Sequence, residues 1–147
     1  MAGYRNAPEE TAKALRDGWL YTGDIGAIED DGTLTVRGRK KELVIVGGYN
    51  VYPREIDEVL YMHPDVLEAA AIGVPDAYRG EVIKAYVVAR PDAAPTVAAL
   101  HEHCVRNLAK YKVPAAIEIV AAIPKTTVGK IDKKELRAMT RNNAERS

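Results

Sequence analysis

Three short segments of this 147-residue chain carry side chains whose type and placement suit chemistry. In Tyr21-Thr22-Gly23-Asp24 a carboxylate stands next to a glycine on a strand-like run. An ionised aspartate offers two acceptor oxygens, enough for both hydroxyls of a ribose diol; a plain turn aspartate has the same appearance. In the second segment, Gly38-Arg39-Lys40-Lys41-Glu42 leads to Gly47-Gly48-Tyr49-Asn50 and then Pro53-Arg54-Glu55-Ile56. Paired glycines after a β-run permit backbone geometry closed to other residues, and serve either a tight turn or the close approach of a ligand. The third, Pro124-Lys125-Thr126-Thr127-Val128-Gly129-Lys130-Ile131, sets Lys130 directly after a glycine on a loop between two packed elements. From such a loop a compact ammonium can be delivered to a developing negative charge, although merely solvated lysines share the pattern.

Other chemistries are excluded. The one serine is Ser147, so no serine nucleophile or Ser-His-Asp triad is available within the chain. No glycine-rich phosphate cradle of the common kinds occurs, so any ATP handled here is held partly by residues outside this piece. His101 and His103 lie roughly 200° apart around a helix, whereas zinc ligands on one helix sit at i and i+4, so no metal site is expected. The balance of 21 basic and 21 acidic residues leaves no electrostatic footprint for nucleic acid or an anionic membrane. The apolar runs at 43–46 and 69–74 fall far short of the ~20 residues of a transmembrane helix, and no secretory leader is visible. Lone Cys104 agrees with a reducing, cytoplasmic setting.

The elements that must position these segments follow from pattern. Proline at a first helical position, acids behind it and Asp17-Gly18 as a stop predict a helix over 8–16. Strand-like runs at 20–29 and 33–37 flank Asp30-Asp31-Gly32 and predict a hairpin. A composition shift puts a domain boundary after residue 37. Beyond it, Pro53 opens a helix with Ile56, Val59 and Leu60 on one face, ended by His63-Pro64. Strands are expected at 66–74 and 82–89, separated by a loop from Pro75 to Gly80. A helix from Pro95 to about Lys110 points Val97, Leu100, Cys104 and Leu108 at a core. A strand at 117–123 precedes the Lys130 loop, and capping-box spacing from Asp132 to Glu135 starts a last helix reaching about Thr140. The fold class is α+β: a small mixed sheet with packed helices, preceded by a hairpin segment.

The order Thr22-Gly23-Asp24, Gly38-Arg39-Lys40-Lys41, Gly47-Gly48-Tyr49-Asn50 with Pro53 and Glu55-Ile56, then Pro124-Lys125-Thr126 with Gly129-Lys130-Ile131 and Lys133 resembles the C-terminal signature set of the adenylate-forming enzymes. These are the acyl-CoA synthetases, peptide-synthetase adenylation domains and firefly luciferases. The likeness covers nearly the whole chain. The stretch 47–55, together with 75–81 and 124–126, looks most like the medium- and long-chain fatty acyl-CoA ligases.

That resemblance implies a two-step reaction: a fatty acid and ATP, with its Mg2+, give acyl-AMP, and the acyl group then passes to the thiol of CoA. By resemblance, Asp24 binds the ribose hydroxyls, Arg39 sits near ribose and phosphate, and Lys130 bridges the attacking carboxylate and the α-phosphate. Lys41 matches the hinge, Gly47 and Gly48 the pantetheine tunnel, and Arg79 and Tyr111 positions that touch CoA. Relatives carry basic residues just after that tyrosine; here Val113 and Ala115 stand there, with Lys110 and Lys112 nearby. The family's phosphate loop and acyl pocket are not in this chain. Residues 1–37 are therefore expected to be the tail of a larger N-terminal domain and 38–147 the mobile domain, with its own N-terminal domain as partner and no activity alone. Two alternatives stay open: a ligase that loads a carrier protein instead of CoA, and an interaction module that keeps the fold without catalysis.

Overall fold

The computed structural model describes residues 1–145, which divide into two compact units, Met1–Lys41 and Glu42 onward. In the first, helix α1 (Pro8–Ala14) starts on proline and carries Glu9 and Glu10 in its first turn, where the helix dipole favours acids. It stops two residues before the expected end at 16. Leu15–Arg16 (β1) instead turns extended and pairs with Trp19–Leu20 (β2) around Asp17 and Gly18, both at positive φ. Asp-Gly between two apolar pairs is a hairpin signal, read above only as a helix stop. The main hairpin joins β3 (Asp24–Ile28) to β4 (Leu34–Arg39), so the run expected at 20–29 is two strands parted at Gly23. β4 continues past the boundary expected after residue 37, and the units separate within the 3₁₀ turn Lys40–Glu42.

No residue of Met1–Lys41 is buried. Trp19, Ile28 and Leu34 are 74%, 78% and 68% exposed, so this unit has apolar surface but no core.

The second unit is built on one mixed sheet. β5 (Val44–Val46) and β6 (Tyr49–Val51) form a hairpin, followed by α2 (Pro53–Tyr61). The long strands β7 (Val66–Asp76) and β8 (Gly80–Ala89) pair from Val66↔Ala89 to Asp76↔Gly80, with one shift of register between Val66 and Glu68. They take up both ends of the loop expected at 75–80, leaving 77–79 as the turn. α3 (Val97–Asn107) is capped by Thr96, whose Oγ1 accepts from Ala99 N at 3.1 Å. A 3₁₀ turn at Lys110–Lys112 leads to β9 (Ala116–Ile119), which runs parallel to β8 and stops short of the expected 123. The sheet order is β6-β5-β8-β7, with β9 also on β8 and β7 at one edge.

Alternate side chains of β7 and β8 are buried on opposite faces of the sheet, which is why both strands read as near-continuous apolar runs. Ala69, Ala71, Ile83 and Ala85 join Ile56 and Leu60 of α2 and Leu100 and Cys104 of α3 in one core. Ala70, Ile72 and Tyr86 join Ile123 and Leu136 in the other, under α4 (Lys133–Glu145). Val97, expected in the core, lies in the first turn of α3 and is 46% exposed. Burial pushes the Cys104 thiol up to about 11, which leaves it a small hydrophobe rather than a nucleophile. α4 begins as its spacing predicts, Asp132 Oδ1 accepting from Lys134 N and Glu135 N at 3.0 Å each, and outruns the expected end near Thr140.

One glycine is set by packing. A Cβ at Gly73 would lie 2.8 Å from Val44 Cγ2. Gly73→Ala should therefore displace Val44 and destabilise the fold by about 1–3 kcal/mol. Denaturant unfolding of the wild-type and substituted chains measures this, and an unchanged midpoint would show that β5 yields freely.

Candidate functional site

In the first unit, pairing in the β3–β4 hairpin brings together two residues that the sequence separates. Asp24 and Arg39 are cross-strand partners, with Arg39 Nε 3.2 Å from Asp24 Oδ1. The Asp24 N–H donates to Thr22 Oγ1 at 3.1 Å, and the Lys40 N–H donates to Gly23 O at 2.8 Å. Thr22, Gly23, Arg39, Lys40 and Lys41 line an open depression there. A carboxylate acceptor and a planar guanidinium donor thus stand side by side at a surface, a pairing that suits a hydroxyl-bearing anion.

The second unit offers two sites. Gly47 and Gly48, at φ 56° and 86°, are the two central residues of the β5–β6 turn, and positive φ at both is the twist-matched hairpin geometry. A Cβ at either would meet nothing within 4 Å. Backbone conformation, rather than crowding within this chain, therefore calls for glycine at both. The Gly47 N–H donates to Arg79 O at 3.0 Å, which ties this turn to the β7–β8 turn. Arg79 is held in turn by Asp76, whose Oδ1 accepts from Tyr78 N at 2.9 Å and Arg79 N at 2.8 Å. Tyr111 stacks on Tyr49 with ring centroids 4.7 Å apart. Gly47, Arg79 and Tyr111, three residues singled out from sequence, line one recess of about 390 Å³ with Val46, Tyr49 and Lys110. Lys112 is engaged elsewhere, its ammonium paired with Glu55, so Lys110 is the lysine that the recess receives.

Lys130 lies away from this recess. Its loop is closed by a bridge between Lys125 and Ile131, by Thr126 N donating to Lys130 O at 2.7 Å, and by Gly129 N donating to Thr126 O at 2.9 Å. Gly129 sits at φ 79°, in the left-handed region that favours glycine. Lys130 is exposed, and among the described residues its ammonium has no ion pair. The lysines on either side are both engaged: Lys125 pairs with Glu68 of β7, and Lys133 Nζ lies 2.9 Å from Asp57 Oδ2. Asp57 in turn accepts from Ala71 N on the edge strand. Burial pushes the Asp57 carboxyl up, while the ammonium of Lys133 pulls it down; the net direction is upward. The strand from Glu68 to Asp76 rises about 27 Å, so the Lys130 loop and the Arg79 turn belong to opposite ends of the β7–β8 hairpin.

Tyr49 and the Asp57–Lys133 pair went unassigned in the sequence. Tyr49 stands in a motif already singled out and its ring was the available signal. Asp57 and Lys133 are 76 positions apart, and no local pattern links them. No group of three metal-ligating side chains occurs among the described residues: His103 bonds Val59 O at 2.8 Å and stacks edge-on with His63. No helix among them is long and apolar enough to cross a membrane.

Comparison with known proteins assigns the chain to the class of adenylate-forming enzymes. Residues 55–130 match the family profile of the AMP-binding enzyme C-terminal domain, and the chain belongs to that family. It is 49% identical over 136 residues to a long-chain-fatty-acid–CoA ligase of Bacillus subtilis, covering 92% of this chain and 24% of the relative. It is 50% identical over 137 residues to a sulfoacetate–CoA ligase of Cupriavidus necator, covering 92% of this chain and 27% of that protein. Among solved structures it resembles o-succinylbenzoate CoA synthetase from Bacillus subtilis in complex with the acyl-adenylate intermediate OSB-AMP. That match has a TM-score of 0.87 at 35% identity and covers 93% of this chain and 28% of that one. The chain thus spans about a quarter of the length of the curated relatives it matches.

The Asp76 turn generates a pH prediction. Backbone donation from Arg79 first, and from Tyr78 second, holds the Asp76 carboxyl below its ordinary value of 3.8. A depressed folded value means the turn's contribution is present above the unfolded value and is lost as pH falls through the folded one. The amide resonances of Tyr78 and Arg79 should hold steady from neutral pH down to about 4 and move only on further acidification. In an Asp76→Ala chain that acid transition should vanish; its persistence would assign it to another group.

Proposed function

We propose that this chain is the C-terminal portion of an ATP-dependent acid–thiol ligase of the fatty acyl-CoA synthetase kind, supplying one residue set to each of two successive half-reactions. The observation that carries the reading is that the Lys130 loop is anchored through Lys125 at Glu68 and the Arg79 turn at Asp76, two residues of one strand separated by a rise of about 27 Å. One fixed active centre cannot meet both ends at once, so the lobe must turn between steps, and Lys41, at the division of the two units, is the hinge.

In the first step a carboxylate oxygen of the fatty acid attacks the α-phosphorus of ATP, the bond to pyrophosphate breaks and acyl-AMP forms. Both partners are anions. Lys130 presents its ammonium to the oxygens crowded in that transition state, while Asp24 accepts from the ribose hydroxyls and Arg39 lies along the ribose and phosphate. Any magnesium that accompanies ATP would supply further charge neutralisation, and none of the described residues forms a cluster that would hold it. In the second step the CoA sulfur attacks the acyl carbon and AMP leaves. Gly47 and Gly48 present bare backbone to the pantetheine arm, Tyr111 offers a ring to the adenine, and Arg79 with Lys110 neutralises nucleotide phosphate. The two cations and the ring favour free CoA as acceptor over a carrier protein, whose pantetheine arm lacks the adenosine and its phosphate.

The uncovered apolar face of Met1–Lys41 fits the end of a larger N-terminal domain, which brings the acyl pocket and the phosphate loop. Separately measured half-reactions test the assignment in a full-length enzyme. Lys130→Ala should slow ATP–pyrophosphate exchange about 100-fold or more while thioester formation from synthetic acyl-AMP persists. Equal retention of both would remove Lys130 from the chemistry. The chain by itself, given ATP and a fatty acid, should release no pyrophosphate.

A further inference from the structure

We propose that Lys133 is a positioning residue for Lys130, fastening the Lys130 loop both to the edge of the sheet and to the residue that follows the hinge. The inference rests on the role given to Lys130 above.

Lys133 is the first residue of α4, three positions after Lys130 and immediately beyond Asp132, the cap of the helix. Its ammonium is largely buried, lying 2.9 Å from Asp57 Oδ2 and 4.0 Å from Glu42 Oε2. Those two carboxylates come from different parts of the second unit. Asp57 belongs to α2, and its other oxygen accepts from Ala71 N, so the pair is bolted to the free edge of β7. Glu42 is the first residue after Lys41. One lysine therefore connects the root of the Lys130 loop, the sheet edge and the start of the rotating unit. On the other side of the loop Lys125 holds Glu68, so the loop is anchored through two ion pairs, and among the described residues Lys130 is left unpaired between them.

The physical need is for a short lever. A rotation about Lys41 places an ammonium accurately only if no slack intervenes between pivot and amine, and displacement of a reacting group by about 1 Å can cost on the order of 100-fold. The loop itself is fastened mainly by backbone bonds within its own turn, which fix its shape but not its place on the lobe. Lys133 supplies the place. A mere stability role for the same pair would affect every activity of the lobe alike, whereas positioning of Lys130 is felt only while Lys130 is at the reacting centre.

The test uses four single substitutions in a full-length enzyme carrying this lobe, with ATP–pyrophosphate exchange and thioester formation from synthetic acyl-AMP assayed separately. Lys133→Met is expected to lower the exchange rate about 10-fold or more and leave thioester formation within about 2-fold, per folded molecule. Lys133→Arg, which keeps the charge and reach, should recover most of the exchange rate. Glu42→Gln should show the same split in smaller measure, as befits its longer contact. Equal loss in both half-reactions for Lys133→Met, or no rescue by arginine, overturns the proposal and leaves a purely structural pair. Lys130→Ala is the fourth arm: if it spares exchange, the parent reading of Lys130 fails; if it abolishes exchange while Lys133→Met is silent, only the positioning role fails.

Discussion

The long pairing of β7 with β8, regular from Glu68 to Asp76, is the constraint on which the second unit depends. Every other element of that unit is packed on the hairpin or joined to it: α2 and α3 lie against one face, α4 against the other, and β5 and β9 pair with β8. Burial on both faces leaves neither strand free to slip, because a one-residue shift would exchange the two apolar sets and drive Tyr86 out of the α4 side. The strand length then decides how far apart the two chemically distinct ends stand. A shorter hairpin would bring the Lys130 loop and the Arg79 turn closer together.

Charge is used in two ways on this frame. Lys112, Lys125 and Lys133 each meet a carboxylate and act as fasteners, and Lys84 does the same with Glu118 across neighbouring strands. Such pairs, even partly buried, add modest net stability because desolvation offsets much of the attraction. They do fix where segments lie, since removing one partner strands the other in a poorly solvated place. Lys130 is left out of this pairing on an exposed loop, where its ammonium keeps full hydration until another surface covers it. Within the stretch 125–133 the lysines thus divide into two that are fastened and one that is not.

How much was legible from the residues can be judged element by element. Proline at the first helical position placed α1 and α2, the Asp132–Glu135 spacing placed α4, and apolar periodicity found β7, β8 and α3. These signals are local. The errors arose where a signal had two uses or where tertiary pairing took over. Asp17-Gly18 was read as a helix stop although it also makes the turn between β1 and β2. The end of β9 is set by how far β8 can accept a parallel neighbour, which no residue at 117–123 announces. For the site, the motif residues Gly47, Arg79 and Tyr111 do converge, but the contacts that bring them together are a backbone bond, an aspartate turn and a tyrosine stack. None of these has a pattern in the chain.

The cores of the second unit contain no residue earlier than Val44. The packing of this unit is thus independent of Met1–Lys41, and the chain is similarly like a long-chain-fatty-acid–CoA ligase and a sulfoacetate–CoA ligase, at 49% and 50% identity. A unit with so self-contained an interior can keep its own packing whatever precedes it in the chain.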